Sequence, residues 1–335
     1  MGTYTVYRLT FRTQLHLGRT SGPAQQGNLG LEKTETYIPA DTLFSAICQT
    51  WAMFYGAGDL TAFLKHYTAD SGVLPFTLTS AFPFAHGVYL FPKPLTWTTP
   101  SKKSKHVQFV SQSVFQDILS GNLPEFCENQ LINGEKVWAS PEEKEQLKTS
   151  MGDELLVWKT STRPRVRVGR QTAESNIWHI ETVQFNTNCG LWFAVHFDSD
   201  QTQQKIETLL QVLGDTGIGG ERNAGCGLFD FTKATLEMPT AEAGTHFVTL
   251  SPICPKTPDE LKRLLTGNIA YTLNPLKGWV ADTRRKQVSM FAEGSVLNAT
   301  EKQVGRLIDL KQDNFPHPVY RYGYAWQVGI KGTQK

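Results

Sequence analysis

Cysteine is scarce in this sequence and never paired: Cys48, Cys127, Cys189, Cys226 and Cys254 lie far apart, and there is no Cys-x-x-Cys. An odd, scattered set argues against both a disulfide framework and a zinc knuckle. It fits buried free thiols in a reducing cytosol. No apolar run approaches the ~20 residues that span a bilayer. The N-terminus, MGTYTVYRLTFRTQL, alternates and carries charge, so it reads as a strand and not as a signal peptide. These absences point to a soluble, cytoplasmic chain that does not enter a membrane. An excess of one charge is missing too. The formal net charge is +2, so a nucleic-acid surface would have to come from local clustering. Catalytic signatures are also lacking: no His-Glu-x-x-His, no Gly-x-Ser-x-Gly, no dense carboxylate cluster. No metal or cofactor is indicated, and the chain does not read as an enzyme.

What is present fits an α+β protein. With 335 residues, 40% of them hydrophobic, the usual domain size favours two domains. Tyr7, Leu9, Phe11, Leu15 and Leu17 alternate with Arg8, Thr10, Arg12, Gln14 and His16, the pattern of a half-buried strand with a polar row for solvent or a ligand. A Gly/Gln/Asn-rich loop follows over 18–30. Leu43, Ile47, Trp51 and Phe54 then repeat at helical spacing behind Pro39 and Asp41, the latter read as helix-start chemistry. Strand, loop and helix in this order open a β-α-β-β-α-β unit. Residues 74–94 read as strands, 114–119 as a weak helix, and the charged stretch 133–154 as an exposed loop or short helix. Arg163–Gln171 and Ile177–Phe185 form a hairpin pattern. A strand over Gly190–Phe197, a helix over Thr202–Leu213 and a strand over Leu228–Leu236 complete the unit. Small residues at 238–244 mark a boundary. Beyond it, Phe247–Ile253, a short helix near Pro258–Leu265 and four strand-like runs suit a smaller sheet-and-helix domain.

Two clusters carry candidate function. Between the predicted helix and strand lies GDTGIGGERNAGCGLF, where glycines at 214, 217, 219, 220, 225 and 227 permit close approach of backbone N–H groups to phosphates. Arg222 and Asn223 sit at its centre. The alternative is a tight turn with no ligand. In the hairpin, Arg163, Arg165 and Arg167 share one strand face, followed by Arg170, with Trp178 and His179 on the returning strand. Three like charges in a row call for an anion or for acidic neighbours, and arginines with aromatics suit single-stranded RNA. A solvated hairpin is the alternative. Lys102, Lys103 and Lys105, and Arg284, Arg285 and Lys286, read as solvated loops. His16 is the one general-base candidate, and no acid–base partner supports it in the sequence.

The order of several segments is more specific than any of them alone. They are GLEKTETYIPADTLFSAICQTW, YLFPKPL with KKSK, RVRVGRQTAESNIWHIETVQF, NCGLWF, GIGGERNAGCGLF, KQVSMFAEGSVL and HPVYRYGYAWQVGI. Together the chain resembles the RAMP-superfamily subunit of type III-A CRISPR Csm effector complexes that binds the 5′ handle of the guide RNA (crRNA). The resemblance implies two ferredoxin-like (RRM-related) RAMP domains, 1–238 and 245–335. The first would carry a β-hairpin thumb at about 160–187 and a glycine-rich loop at 214–227. It implies a non-catalytic role capping the crRNA 5′ handle. The partners implied are the large signature (polymerase/nuclease) subunit and the adjacent backbone RAMP subunit. The RNA-binding residues implied are Gly217, Gly219, Gly220, Arg222, Asn223, Gly225 and Gly227 in the loop, and Arg163, Arg165, Arg167, Arg170, Trp178 and His179 in the thumb. Arg19, within the 18–30 loop, and Lys33, just after it, complete the set. The equivalent subunit of a sister type III complex, and a RAMP endoribonuclease maturing guide RNA, are the rival readings.

Overall fold

The alternating N-terminus forms β1 (Gly2–Phe11), with Val6, Tyr7 and Leu9 fully buried. Val6 and Tyr7 are neighbours, so both faces of the strand are covered there; of the expected polar row, Thr10 and Arg12 are exposed, Arg8 and Gln14 are half-buried and His16 is buried. Arg8 donates from Nε to the Tyr89 hydroxyl at 2.8 Å, its guanidinium 4.8 Å from the ring centre. Arg12 binds Asp215 and the Gly214 carbonyl. This computed structural model describes residues 2–18, 33–68, 73–168, 175–242, 245–276, 279–280, 283–284, 287–299, 301–311 and 317–331.

Helix α1 (Ala40–Phe54) buries Leu43, Ile47 and Trp51 along one stripe with Phe44 beside them, as their spacing predicts, but Phe54, expected to continue the stripe, is 55% exposed at the helix end. It is followed by α2 (Ala57–Thr68), β2 (Phe76–Leu78), β3 (Phe82–Ala85), β4 (Val88–Pro92), β5 (Phe109–Ser111) and α3 (Gln112–Ser120). The stretch 133–154 does contain a short, largely exposed helix, α4 (Pro141–Met151), but also a buried strand, β7 (Val137–Trp138), which pairs with β6 (Leu131–Ile132) just before it. Trp138 is fully buried there and stacks on Trp97 at 4.7 Å between ring centres. Two-residue strands are too short to show a period, and the surrounding charges belong to the exposed side of α4. Ser140 caps that helix, its hydroxyl accepting from Glu143 N at 3.2 Å, with Pro141 at the first position.

The chain continues through β8 (Trp158–Val168), β9 (Ser175–Phe185), β10 (Cys189–Phe197), α5 (Asp200–Thr216) and β11 (Phe229–Met238). The main sheet runs β11-β1-β10-β3-β4-β5-β7-β6, with β2 also on β10. Its antiparallel β11-β1-β10-β3 segment, with α1 and α5 packed together, is the ferredoxin-like unit. Tyr7 ties the sheet to α5, its hydroxyl donating to Glu207 at 2.8 Å. Trp192 of β10 is fully buried against Phe82, Tyr89 and Phe91, and its indole N–H reaches the Leu90 carbonyl at 3.0 Å.

The remaining elements are β12 (His246–Thr249), α6 (Pro258–Leu264), β13 (Leu273–Leu276), β14 (Trp279–Val280), β15 (Thr283–Arg284), β16 (Val288–Phe291), β17 (Val296–Asn298), β18 (Gly305–Asp309), β19 (Tyr320–Tyr324) and β20 (Gln327–Ile330). Strands β17-β12-β20 form a sheet, and β13-β16, β14-β15 and β18-β19 form ribbons. The strand pattern is finer than the four runs expected from sequence.

One hydrophobic core runs across the 238–244 boundary. Val248, Leu250, Tyr322, Tyr324 and Val328 pack in the same buried cluster as β1 and α1, with Tyr322 5.0 Å from Phe44 between ring centres. Asp41 does more than favour a helix start. Buried, it accepts from Arg321 Nη1 at 2.5 Å and from the Tyr322 backbone N–H at 2.9 Å. Removing one partner of such a pair leaves a buried charge, at a cost of about 3–5 kcal/mol. Glu293 makes a second tie, accepting from the Ser80 hydroxyl at 2.5 Å and from Tyr37 at 3.3 Å. Among the described residues, no helix is long and apolar enough to cross a membrane.

Candidate nucleic-acid interface

Helix α5 ends at Gly217, and the loop to β11 folds back onto residues 12–16 just beyond β1. Gly220 N–H donates to the His16 carbonyl and Gly227 N–H to the Gln14 carbonyl, both at 2.8 Å. Glycine is required by this contact. At Gly227 (φ +79°) a Cβ would lie 2.0 Å from the Ile218 carbonyl oxygen, and at Gly219 (φ +95°) one would lie 2.4 Å from that of His16. The expectation of N–H groups presented to phosphates needs correcting at most of these positions. The N–H groups of Gly217, Ile218, Gly220, Ala224, Gly225, Cys226 and Gly227 all donate to acceptors within the protein. The loop is a rigid platform built by close backbone packing. What it offers outward is the short 3-10 turn of Arg222, Asn223 and Ala224, all exposed.

The hairpin is longer than the sequence pattern indicated, with an unbroken antiparallel register from Trp158↔Phe185 to Val168↔Ser175. Its base is fastened to the β1 extension. Leu15 and Val183 exchange backbone hydrogen bonds at 2.8 Å, Thr182 donates to Gln14 Oε1 at 3.1 Å, and Phe11 stacks on Phe185. His16 belongs to this fastening. It is 1% exposed, with Nδ1 2.7 Å from the Glu181 carbonyl oxygen and its ring against Gly220. It pins hairpin to loop, which suits structure better than proton transfer.

The register sorts the hairpin's two faces. Arg163, Arg165 and Arg167 lie opposite Ile180, Trp178 and Asn176 on one face; Pro164 and Val166 lie opposite His179 and Ile177 on the other. Trp178 and His179 therefore do not form one aromatic surface. Only Trp178 shares the arginine face, and His179 accompanies the exposed Val166 and Ile177. That arginine face meets the glycine-rich loop. Arg165 Nη2 is 3.9 Å from Glu221 Oε2. The Cys226 thiol is raised by burial and by Glu221, with Arg165 and Arg163 opposing the shift. Two patterns more than fifty residues apart thus become the two walls of one cleft.

Lys33 is exposed next to Thr34, whose N–H donates to Glu181 at 2.8 Å, so it sits at the hairpin base. Arg19 and Arg170 lie outside the described residues, and Arg167 is described only in its backbone. In the other basic loop, Lys103 is held by Glu128 and Glu135, each at 3.2 Å. Arg285 and Lys286 lie outside the described residues, and Arg284 is described only in its backbone. Among the described residues, no group of three or more His, Cys, Asp or Glu side chains is placed to hold a metal. Sequence reasoning missed Glu221, an acid inside an otherwise cationic cleft. Its position amid glycines was the only available signal.

Comparison with known proteins follows this geometry. The RAMP superfamily profile matches residues 8–230, and that of the CRISPR Csm4 C-terminal domain matches 242–330. Proteins described as "CRISPR system Cms protein Csm4" are similar along most of the chain. The one from Streptococcus thermophilus is 25% identical over 347 residues, covering 96% of each chain. The one from Thermococcus onnurineus is 25% identical, covering 87% of this chain and 91% of its own. The one from Mycobacterium tuberculosis is 28% identical, covering 88% and 91%. A chain in a Csm3-Csm4 subcomplex of the type III-A CRISPR-Cas interference complex shares the fold, with a TM-score of 0.69, 18% identity and coverage of 99% and 100%. A chain in a Csm1-Csm4 cassette bound to cA4 gives 0.59, 17% identity and 98% of each chain.

Proposed function

The chain belongs to the RAMP superfamily, and on that premise we propose that it is the non-catalytic subunit of a type III-A CRISPR complex that caps the 5′ handle of the guide RNA. The relatives assembled with Csm3 and with Csm1 support two protein partners, an adjacent backbone RAMP subunit and the large signature subunit. Residues 1–238 and 245–335 are its two units, and it acts in the cytoplasm.

One observation carries the reading: the arginine face of the hairpin turns toward the glycine-rich loop, with Arg165 beside Glu221. Arg222 and Asn223 stand exposed on the platform, while Arg163, Arg165 and Trp178 line the facing wall. Guanidinium groups pair with phosphates in a fixed fork, and an aromatic face takes an unstacked base. The rigid loop sets where the backbone runs, and the arm encloses it.

Co-expression with the neighbouring subunits tests this. Arg222→Glu complexes should assemble but lose guide RNA. The salt dependence of RNA binding by the full chain should flatten by about one unit of slope for the lost phosphate contact. Full retention of guide RNA with an unchanged salt slope would refute the assignment.

A further inference from the structure

Glu221 is out of place in two ways. It holds φ +57°, a left-handed conformation that glycine adopts without strain, in a loop where Gly219, Gly225 and Gly227 do so at +95°, +80° and +79°. It also puts a carboxylate opposite the arginine face of the hairpin, beside Arg165. A glycine at 221 would relieve the backbone and remove the opposing charge. The side chain is therefore the feature that needs a reason.

The platform fixes the backbone that carries this side chain, whatever its partner. The Glu221 carbonyl accepts from Ala224 N at 2.9 Å and from Cys226 N at 3.2 Å, so the residue is locked by backbone bonds. Its contact with Arg165 is loose by comparison, at 3.9 Å, with the two side chains 29% and 48% exposed. A half-solvated pair of this kind is weak and readily exchanged. Across from Arg165, on the same hairpin face, the Trp178 indole N–H is buried without an acceptor. Buried donors are normally satisfied, so this wall is incomplete as it stands.

We infer that Glu221 reads one base of the bound RNA, and that the base is guanine. This rests on the handle-binding reading given above. A carboxylate accepts hydrogen bonds and donates none. It repels phosphate, so its complement on RNA is a base edge. On the Watson–Crick edge, adenine, cytosine and uracil each set donors beside acceptors. Guanine alone presents two adjacent donors, N1–H and the N2 amino group, matched to two carboxylate oxygens. On binding, Arg165 exchanges Glu221 for a phosphate, and Glu221 exchanges Arg165 for guanine. The same acid turns away polyanions that bring no such base, which gives selectivity to a cleft otherwise built for any phosphate backbone.

The test uses the full chain and a fluorescent single-stranded RNA with the sequence of the 5′ end of guide RNA recovered from the assembled complex. Each guanine is replaced in turn by inosine, which lacks the N2 amino group, and by adenosine. Wild-type protein should lose about tenfold in affinity at one guanine. Glu221→Gly, which suits the backbone at that position, should lose this discrimination and bind the inosine RNA at least as tightly as wild type does. Glu221→Gln, which keeps the shape but offers a mismatched donor, should also lose it. The inference falls if no guanine is sensitive, if the 5′ end contains none, or if Glu221→Gly keeps the wild-type profile. Failure of the handle reading looks different: wild type would then bind this RNA no better than a scrambled sequence of equal length, and both claims would fall.

Discussion

The glycine-rich loop and the hairpin arm face the same cleft but are held in opposite ways. The loop is over-determined: most of its N–H groups are spent on internal acceptors, and Gly217, Gly219 and Gly227 lie too close to neighbouring carbonyl oxygens to admit a side chain. Among its described residues the arm is held chiefly at its base, through Glu181, Thr182, Val183 and Phe185; further out, Arg165 meets Glu221 loosely, and Val166 and Ile177 are 55% and 60% exposed. A rigid floor and a lightly held wall suit a ligand that must be threaded in and then enclosed. Position is set by the part that cannot move, and closure by the part with few contacts to lose.

The largest effect should come from breaking the floor. Gly227→Ala forces a β-carbon onto the Ile218 carbonyl at φ +79°, and should cost about 3 kcal/mol or more in denaturant unfolding. Gly225→Ala has a similar φ of +80° but open space around it, and should cost only about 1 kcal/mol. Equal losses would mean that close packing is not what holds the loop.

The smallest effect concerns Glu293, which is tied to Ser80 and Tyr37. Although Glu293 keeps some exposed surface, its carboxyl is enclosed by Ser80 and Tyr37, and burial raises its pKa above the ordinary carboxylate range. The folded state therefore holds its proton to higher pH than the unfolded chain does. Stability should be greatest below the unfolded pKa and fall as pH rises through the folded one, then level off. Glu293→Gln should flatten that stretch of the unfolding profile. If the wild-type slope persists in the variant, another group is responsible.

Much of this comparison was legible in the sequence, and the failures have physical causes. Glycine density marked the loop, and the period-two arginines marked an arm face, because both are local patterns. The reason for the glycines was misjudged, since a requirement for close packing on Gln14 and His16 comes from residues some two hundred positions away. His16 stood out only as a general-base candidate without a partner, since its burial depends on the hairpin base folding over it. The Asp41–Arg321 tie spans 280 positions and leaves no local pattern at all. Trp178 and His179 were grouped as neighbours in sequence, where strand geometry puts them on opposite faces.

Whether floor and arm form one RNA-binding cleft is tested most directly by nuclease footprinting of guide RNA in assembled complexes. Three forms are compared: wild type, Arg222→Glu, and one with residues 170–179 replaced by a short Gly/Ser turn. The shortened arm should leave the chain folded, because its first fully buried anchor is Ile180 and the base contacts lie beyond it. Stacking and arginine pairing at single-stranded sites are worth roughly 1–3 kcal/mol per base, enough for their loss to expose nucleotides. The two altered complexes should uncover overlapping or adjoining nucleotides in and next to the 5′ handle. Protection by the shortened arm identical to wild type, with the Arg222→Glu footprint altered, would mean that the arm does not touch the RNA and that the cleft has only one working wall.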